Sequence, residues 1–254
     1  MPSERHPGPQ DCVSAVSSVF ERVFAQLTVW RSAIETTTGL HPGAVLHPGQ
    51  LDRVVYPLVG PTLGSTGSLL IGAGFIGAPT SHSGPGLRFS WWLGPLESNP
   101  LFGSTTEPTR LDLSTRGYAE YLGDFRSLEW YTAPEATRRR HVTGPYVDHL
   151  CTCDYILTLS MPTEVDGEMT GIVGADIYVK RLELELLPIF LRLGAPASLL
   201  NRTGRVIIST DPRRPAGSIV SDPAESSLLP CLGTPFNVLV QGPRNSPQNK
   251  HLVL

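Results

Sequence analysis

Three aspartates, Asp148, Asp154 and Asp176, flank a segment that reads as a long hairpin, a fold that brings side chains on its two arms together. Carboxylates placed so do acid/base chemistry when a second reactive group stands beside them, and bind a cation when none does. No second group declares itself. There is no Gly-x-Ser-x-Gly elbow; the run Gly64-Ser65-Thr66-Gly67 has the wrong spacing, and the serines and histidines carry no local signature. A hydrolase working through its aspartates therefore stands as a lesser alternative to a binding protein.

Other patterns are formally suggestive and chemically empty. Gly72, Gly74 and Gly77 follow a candidate strand at dinucleotide-fingerprint spacing, with Glu97 twenty residues beyond the last. That fingerprint needs its third glycine to open a helix. Here Pro79, Gly84, Pro85 and Gly86 follow, so the glycines read as close-packing positions in a strand. His-Pro-Gly recurs at 6–8, 41–43 and 47–49, each copy turn-like and without a nearby carboxylate or Cys to complete a metal site. Cys12, Cys151, Cys153 and Cys231 are too sparse for a disulfide framework, and Cys151-Thr152-Cys153 lacks the spacing of a zinc knuckle. No metal and no cofactor is expected.

With 20 Lys plus Arg against 23 Asp plus Glu, the charge of -3 gives no reason to expect nucleic acid or an acidic membrane. The basic run Arg138-Arg139-Arg140-His141 reads as a solvated turn. Met1 to Gln10 is polar and proline-rich, unlike a signal peptide or a membrane span, and implies a cytoplasmic protein with no membrane partner.

The elements that must position the aspartates are partly legible. Over Asp11 to Thr38, Val13, Val16, Phe20, Val23, Leu27, Trp30 and Ile34 step alternately by three and four, with Asp11 suited to cap the start and Gly39 the end. Such a seam fits a helix lying on a sheet, a homodimer contact, or both. Residues 68–77 and 87–93, the latter holding Trp91 and Trp92, read as strands, and Thr115 to Tyr121 as a short helix. Tyr155 to Met161 and Gly171 to Val179 are strand-like and flank the turn signal Asp166-Gly167, predicting an antiparallel hairpin. Leu182 to Leu193 reads as a helix holding Pro188, and 197–201, 205–210 and 236–241 as further strands.

Four stretches in this order carry a family resemblance: Phe125 to Ala133 (FRSLEWYTA), Val142 to Asp148 (VTGPYVD), Tyr155 to Pro162 (YILTLSMP) and Gly171 to Asp176 (GIVGAD). Together they resemble the central block of Cache sensor domains, the PAS-like, double-Cache type of module found in bacterial receptors. The resemblance implies an α/β (α+β) fold with a central antiparallel sheet of about five strands, a long N-terminal helix on one face and a small C-terminal extension. Its domains would be a ligand-binding unit at 11–190 and a short, incomplete second module and tail at 191–254.

It also implies a non-enzymatic sensor for an amino acid or amine. Tyr121 and Arg126 would stand near the ligand carboxylate with Trp130 beside them, and Tyr131, Asp148 and Asp176 would hold its amino group. The residue types suit the task independently, since ammonium favours carboxylates with an aromatic face and a carboxylate favours a guanidinium. The family's Arg lies two residues before the Trp, where this chain has Leu128, and Arg126 lies four before; with Arg126 turned to solvent the remaining Tyr, Trp and Asp residues suit an amine or another cation better than an amino acid. Signalling would pass to a separate protein, a homodimer through the first helix being one route. A structural adaptor with a degenerate pocket is the remaining alternative.

Overall fold

The computed structural model describes residues 7–37, 48–78, 88–97, 103–112, 127–148, 154–221 and 226–241. Helix α1 (Pro9–Glu35) opens the chain, and all seven residues of the heptad seam are buried. Its start is closed by Asp11, whose Oδ2 accepts the Gly8 N–H at 2.6 Å, the reach-back half of a capping box. Burying each large apolar side chain of that seam is worth about 2 kcal/mol, far more than helix propensity supplies.

Helix α2 (Pro48–Leu63) has no counterpart among the sequence expectations, which read its start as a turn. Pro48 heads the first turn, where a missing N–H costs nothing. Leu51, Val55, Val59 and Leu63, spaced by four, are buried. Thr115 to Tyr121 and the first two His-Pro-Gly copies, apart from Pro7 and Gly8, lie outside the described residues.

The chain divides into two compact units, residues 18–183 and residues 1–17 with 184–254. The larger holds a six-stranded antiparallel sheet ordered β3-β2-β1-β6-β5-β4. Its strands are β1 (Leu70–Gly77), β2 (Phe89–Leu93), β3 (Thr109–Arg110), β4 (His141–Val147), β5 (Tyr155–Val165) and β6 (Glu168–Tyr178). The expected hairpin is β5–β6, turning at Asp166 and Gly167, which adopt φ of 53° and 81°. That pair of positive φ values explains the Asp-Gly signal. The basic run is not all turn: Arg138 ends a helix in the left-handed conformation, and His141 begins β4.

Register assigns the two faces of this sheet. Leu93, Gly72, Asp176 and Thr158 form one cross-strand row, and Trp91, Gly74 and Gly174 the next on the same face. The opposite face carries Ser90, Trp92 and Met161, covered by helices. Asp52 of α2 accepts from the Ser90 hydroxyl at 2.7 Å, Tyr56 of α2 packs on Trp92 at 4.2 Å, and Thr28 of α1 meets the Met161 sulfur. The first face is crossed by helix α3 (Glu129–Thr137).

β6 runs directly into helix α4 (Val179–Arg192), in which Pro188 is accommodated. The smaller unit holds a four-stranded antiparallel sheet, β8-β7-β10-β9, built from β7 (Ala197–Leu200), β8 (Val206–Ser209), β9 (Ser226–Pro230) and β10 (Asn237–Gln241). Leu200, Val206 and Leu239 form a core cluster there, with Val220 against it.

Candidate ligand-binding site

Between the open face of the large sheet and α3 lies a cavity of about 450 Å³ including its mouth. Its wall comes from Ile76, Phe89, Trp91, Leu111, Trp130, Tyr146, Asp148, Ile156, Thr158 and Asp176. One end is apolar, since Ile76 pairs with Phe89 across β1–β2. The other end is acidic.

Asp176 reaches the cavity because the two-residue period of β6 puts it on the same face as Gly174 and Ile172. It is 7% exposed. Thr158, opposite it on β5, donates its hydroxyl to Asp176 Oδ1 at 2.6 Å, and the Tyr146 hydroxyl meets Thr158 Oγ1 at 2.6 Å. The Trp91 indole nitrogen lies beside the same carboxylate, both facing Gly72, and its N–H favours the ionised form of Asp176. Asp148 follows the last residue of β4, is likewise buried, and is fixed through its backbone N–H to the Asp154 carbonyl at 3.0 Å.

Two acids in one desolvated space repel, and the repulsion bears on Asp176. Burial first, and the Asp148 charge second, push the Asp176 carboxyl up to about 8, against the hydrogen bonds from Thr158 and Trp91 that draw it down. No Lys, Arg or His lines the cavity among the described residues. Arg88, the buried guanidinium before β2, donates Nη2 to the carbonyls of Ala78 and Thr170, while its Nε and Nη1 are buried without a hydrogen-bond partner among the described residues. Chemically, an acidic, half-apolar cavity with aromatic walls suits an organic cation.

The structure brings Trp130, Asp148 and Asp176 together in this wall. Tyr131 is placed differently: it has no exposed surface, belongs to the apolar core beneath the site, and packs edge-on to Trp130 with centroids 6.2 Å apart. On α3 adjacent residues point about 100° apart, so Trp130 facing the cavity sends Tyr131 into the core. Tyr121 and Arg126 lie outside the described residues. Tyr146 and Thr158 went unnoticed in the sequence as site residues, although Tyr146 sits inside the stretch Val142 to Asp148 and Thr158 is one of the few polar residues of a mostly apolar strand. Ile76, Phe89, Leu111 and Ile156 carry no signal that separates a cavity wall from a core.

The remaining motifs resolve into structure. Gly72, Gly74 and Gly77 all lie within β1, and the third ends the strand without opening a helix. Cys12 and Cys231 are buried free thiols, and burial pushes the Cys231 thiol up to about 12, which keeps it protonated and unreactive. Cys151 and Cys153 lie outside the described residues.

Comparison with known proteins gives concordant matches. Residues 89–184 match the family model described as methyl-accepting chemotaxis protein-like, first PDC sensor domain. The methyl-accepting chemotaxis protein TlpQ of Pseudomonas aeruginosa PAO1 is 29% identical over 115 residues, covering 43% of this chain and 15% of that protein. The chain thus spans a small fraction of its relative's length. Among solved structures, the ligand-binding domain of the Pseudomonas aeruginosa PAO1 amino-acid chemoreceptor PctC, in complex with GABA, aligns at TM-score 0.56 and 19% identity over 92% of this chain and 96% of that one. The extracellular domain of mmHK1S-Z3, described as a histidine kinase, aligns at TM-score 0.58 and 14% identity over 89% of each chain. At these identities the structural matches establish the fold.

They also correct one expectation. A cytoplasmic location, drawn from the polar first ten residues, is overturned by the match to receptor sensor modules. The polar start also misdirects attention from α1, which at 27 residues is long and apolar enough, by length and composition, to cross a membrane. Its buried stripe is equally that of a core helix.

Proposed function

We propose, from the premise that this chain carries a sensor module of the Cache (PDC) family, that it binds an amine or amino acid through the ligand's ammonium group and signals without turning the ligand over. Two buried acids facing one cavity, with no cation among its described lining residues, carry this reading. The ammonium would sit between Asp148 and Asp176, with Trp130 over it and its apolar body along Ile76, Phe89 and Leu111. Tyr121 and Arg126 are assigned to the carboxylate of an amino acid, and a ligand without a carboxylate would dispense with them. Tyr131 would act from the core by holding Trp130.

The whole receptor's partners lie beyond this chain. We assign signalling to a separate protein, reached through α4 and the smaller unit, with α1 as a contact between two copies. The smaller sheet supports its reading as a reduced second module, because β8-β7-β10-β9 repeats the hairpin, connection, hairpin order of β2-β1-β6-β5. The location proposed is the outer side of the membrane.

Thermal-shift screening against GABA, α-amino acids, diamines and aromatic amines tests the reading, because a ligand that binds only the folded state raises Tm by mass action. A shift with an ammonium compound that vanishes in Asp176→Ala is expected. A shift with carboxylates or purines that survives Asp176→Ala would sink it.

A further inference from the structure

Trp91 stands over an unusual floor. A methyl group on Gly72 would come within 2.8 Å of Trp91 Nε1 and 3.1 Å of Asp176 Oδ2. One on Gly174 would lie 3.1 Å from Cη2 and 3.4 Å from Cζ3 of the same ring. At Gly74 it would meet the Trp91 Cα at 2.7 Å and the Ser90 carbonyl oxygen at 2.1 Å. The indole therefore lies across β1 and β6, its nitrogen above Gly72 and its benzo edge above Gly174, in space that only glycine leaves free. This is the role of the two leading glycines of the false dinucleotide fingerprint.

In that position the ring touches both features of the site. It lines the cavity, presenting a π surface to a cation, and its nitrogen stands beside Asp176 Oδ2 over Gly72. The groups around Asp176 are Gly72 of β1, Trp91 of β2, Tyr146 and Asp148 at the end of β4, Thr158 of β5 and Trp130 of α3. Asp148 and Tyr146 are the titratable members among the described residues, and neither supplies positive charge.

We propose that Trp91, laid across this glycine bed, is the positioning residue of the site, aiming Asp176 at the incoming ammonium, and that ammonium uptake drives a proton from Asp176 into solvent. The inference rests on the sensor reading above. In the exchange the Asp176 O–H bond breaks, the proton leaves to water, and the carboxylate pairs with the ammonium. The charge of the cavity is the same before and after, because the ammonium brings the charge that the departing proton takes away. The indole N–H favours the ionised form, and without it the exchange requires a higher pH.

Carboxyl-carbon NMR titration of Asp176 in the empty protein, together with calorimetry of GABA and 2-phenylethylamine in two buffers of different ionisation heat, tests this. Trp91→Phe keeps an aromatic floor and removes the donor; its Asp176 midpoint rises by about one pH unit, and affinity at pH 7 falls about tenfold. Gly72→Ala, which keeps the indole but wedges it from the carboxylate, moves the midpoint the same way and serves if Trp91→Phe does not fold. Wild type releases about one proton per ligand at pH 7, and Asp176→Asn releases none. Unmoved midpoints in both Trp91→Phe and Gly72→Ala overturn the role of Trp91, and ligand binding without proton release overturns the exchange. If midpoints move as stated while neither amine binds, Trp91 keeps its role and the sensor reading fails.

Discussion

Two buried aspartates, one in each unit, meet opposite fates. Asp211, after β8 in the smaller unit, is 3% exposed, and its charge is fully answered. Arg213 Nε and Nη2 donate to its two oxygens at 3.0 Å each, the Arg213 backbone N–H adds a third bond at 3.1 Å, and the Gln241 amide a fourth. The Arg213 hydrogen bond foremost holds its carboxyl down at about 2. Asp176 is as buried, accepts neutral donors only, and faces another acid. A structural carboxylate brings its own cation; one kept without leaves that place for something from outside.

The widest separation between the two acids is expected in stability against pH. Between about pH 4 and 8 the folded protein keeps the Asp176 proton that the unfolded chain has released, so the native state binds more protons and stability falls as pH rises through that window. Asp176→Asn removes the fall and stabilises the empty protein at pH 8 by as much as about 5 kcal/mol, measured by urea unfolding at pH 5 and 8. A variant no more stable than wild type at pH 8 would break the contrast.

Ligand affinity gives the next effect. Asp176→Ala should cost an ammonium ligand at least about a hundredfold, and Trp130→Ala about tenfold, by calorimetry. Asp211→Asn should leave affinity unchanged. It should lower Tm by about 3 °C at pH 7 and by less near pH 2, because stability from a lowered carboxyl is present above about pH 4 and lost as pH falls toward 2. The smallest effect belongs to an exposed acid: Glu21 pairs with Arg140 at the surface, and Glu21→Ala should change stability by under about 1 kcal/mol.

The features read correctly from sequence are those where local chemistry and final structure agree. The α1 seam is periodic because one face is buried, and the β5–β6 turn is visible because Asp-Gly tolerates positive φ. Helix α2 was hidden by Pro57, Pro61 and Gly60, which its packing against β1 and β2 overrides. Helix α3 is short and holds Pro134, and β4 was masked by the arginines before it and by Gly144 and Pro145 within it. In the site, Asp176 was conspicuous because an apolar strand rarely carries an Asp. The apolar half of the site was not, because a wall residue differs from a core residue only in what faces it.

One junction ties the site to the rest of the chain. Tyr178 closes β6 and Val179 opens α4 with no residue between them, so Asp176 stands three positions from the helix. The first turn is anchored back to the sheet: Arg181 Nη1 donates to the Ser68 and Leu70 carbonyls at 2.8 Å each, while Lys180 lies over the Tyr178 ring and pairs with Asp154, the residue whose carbonyl holds Asp148. Both acids of the cavity thus bear on a single helical turn. In mechanical terms they sit on the short arm of a lever without slack, and an adjustment of a few tenths of an ångström between them would pass into the helix instead of being lost in a loop.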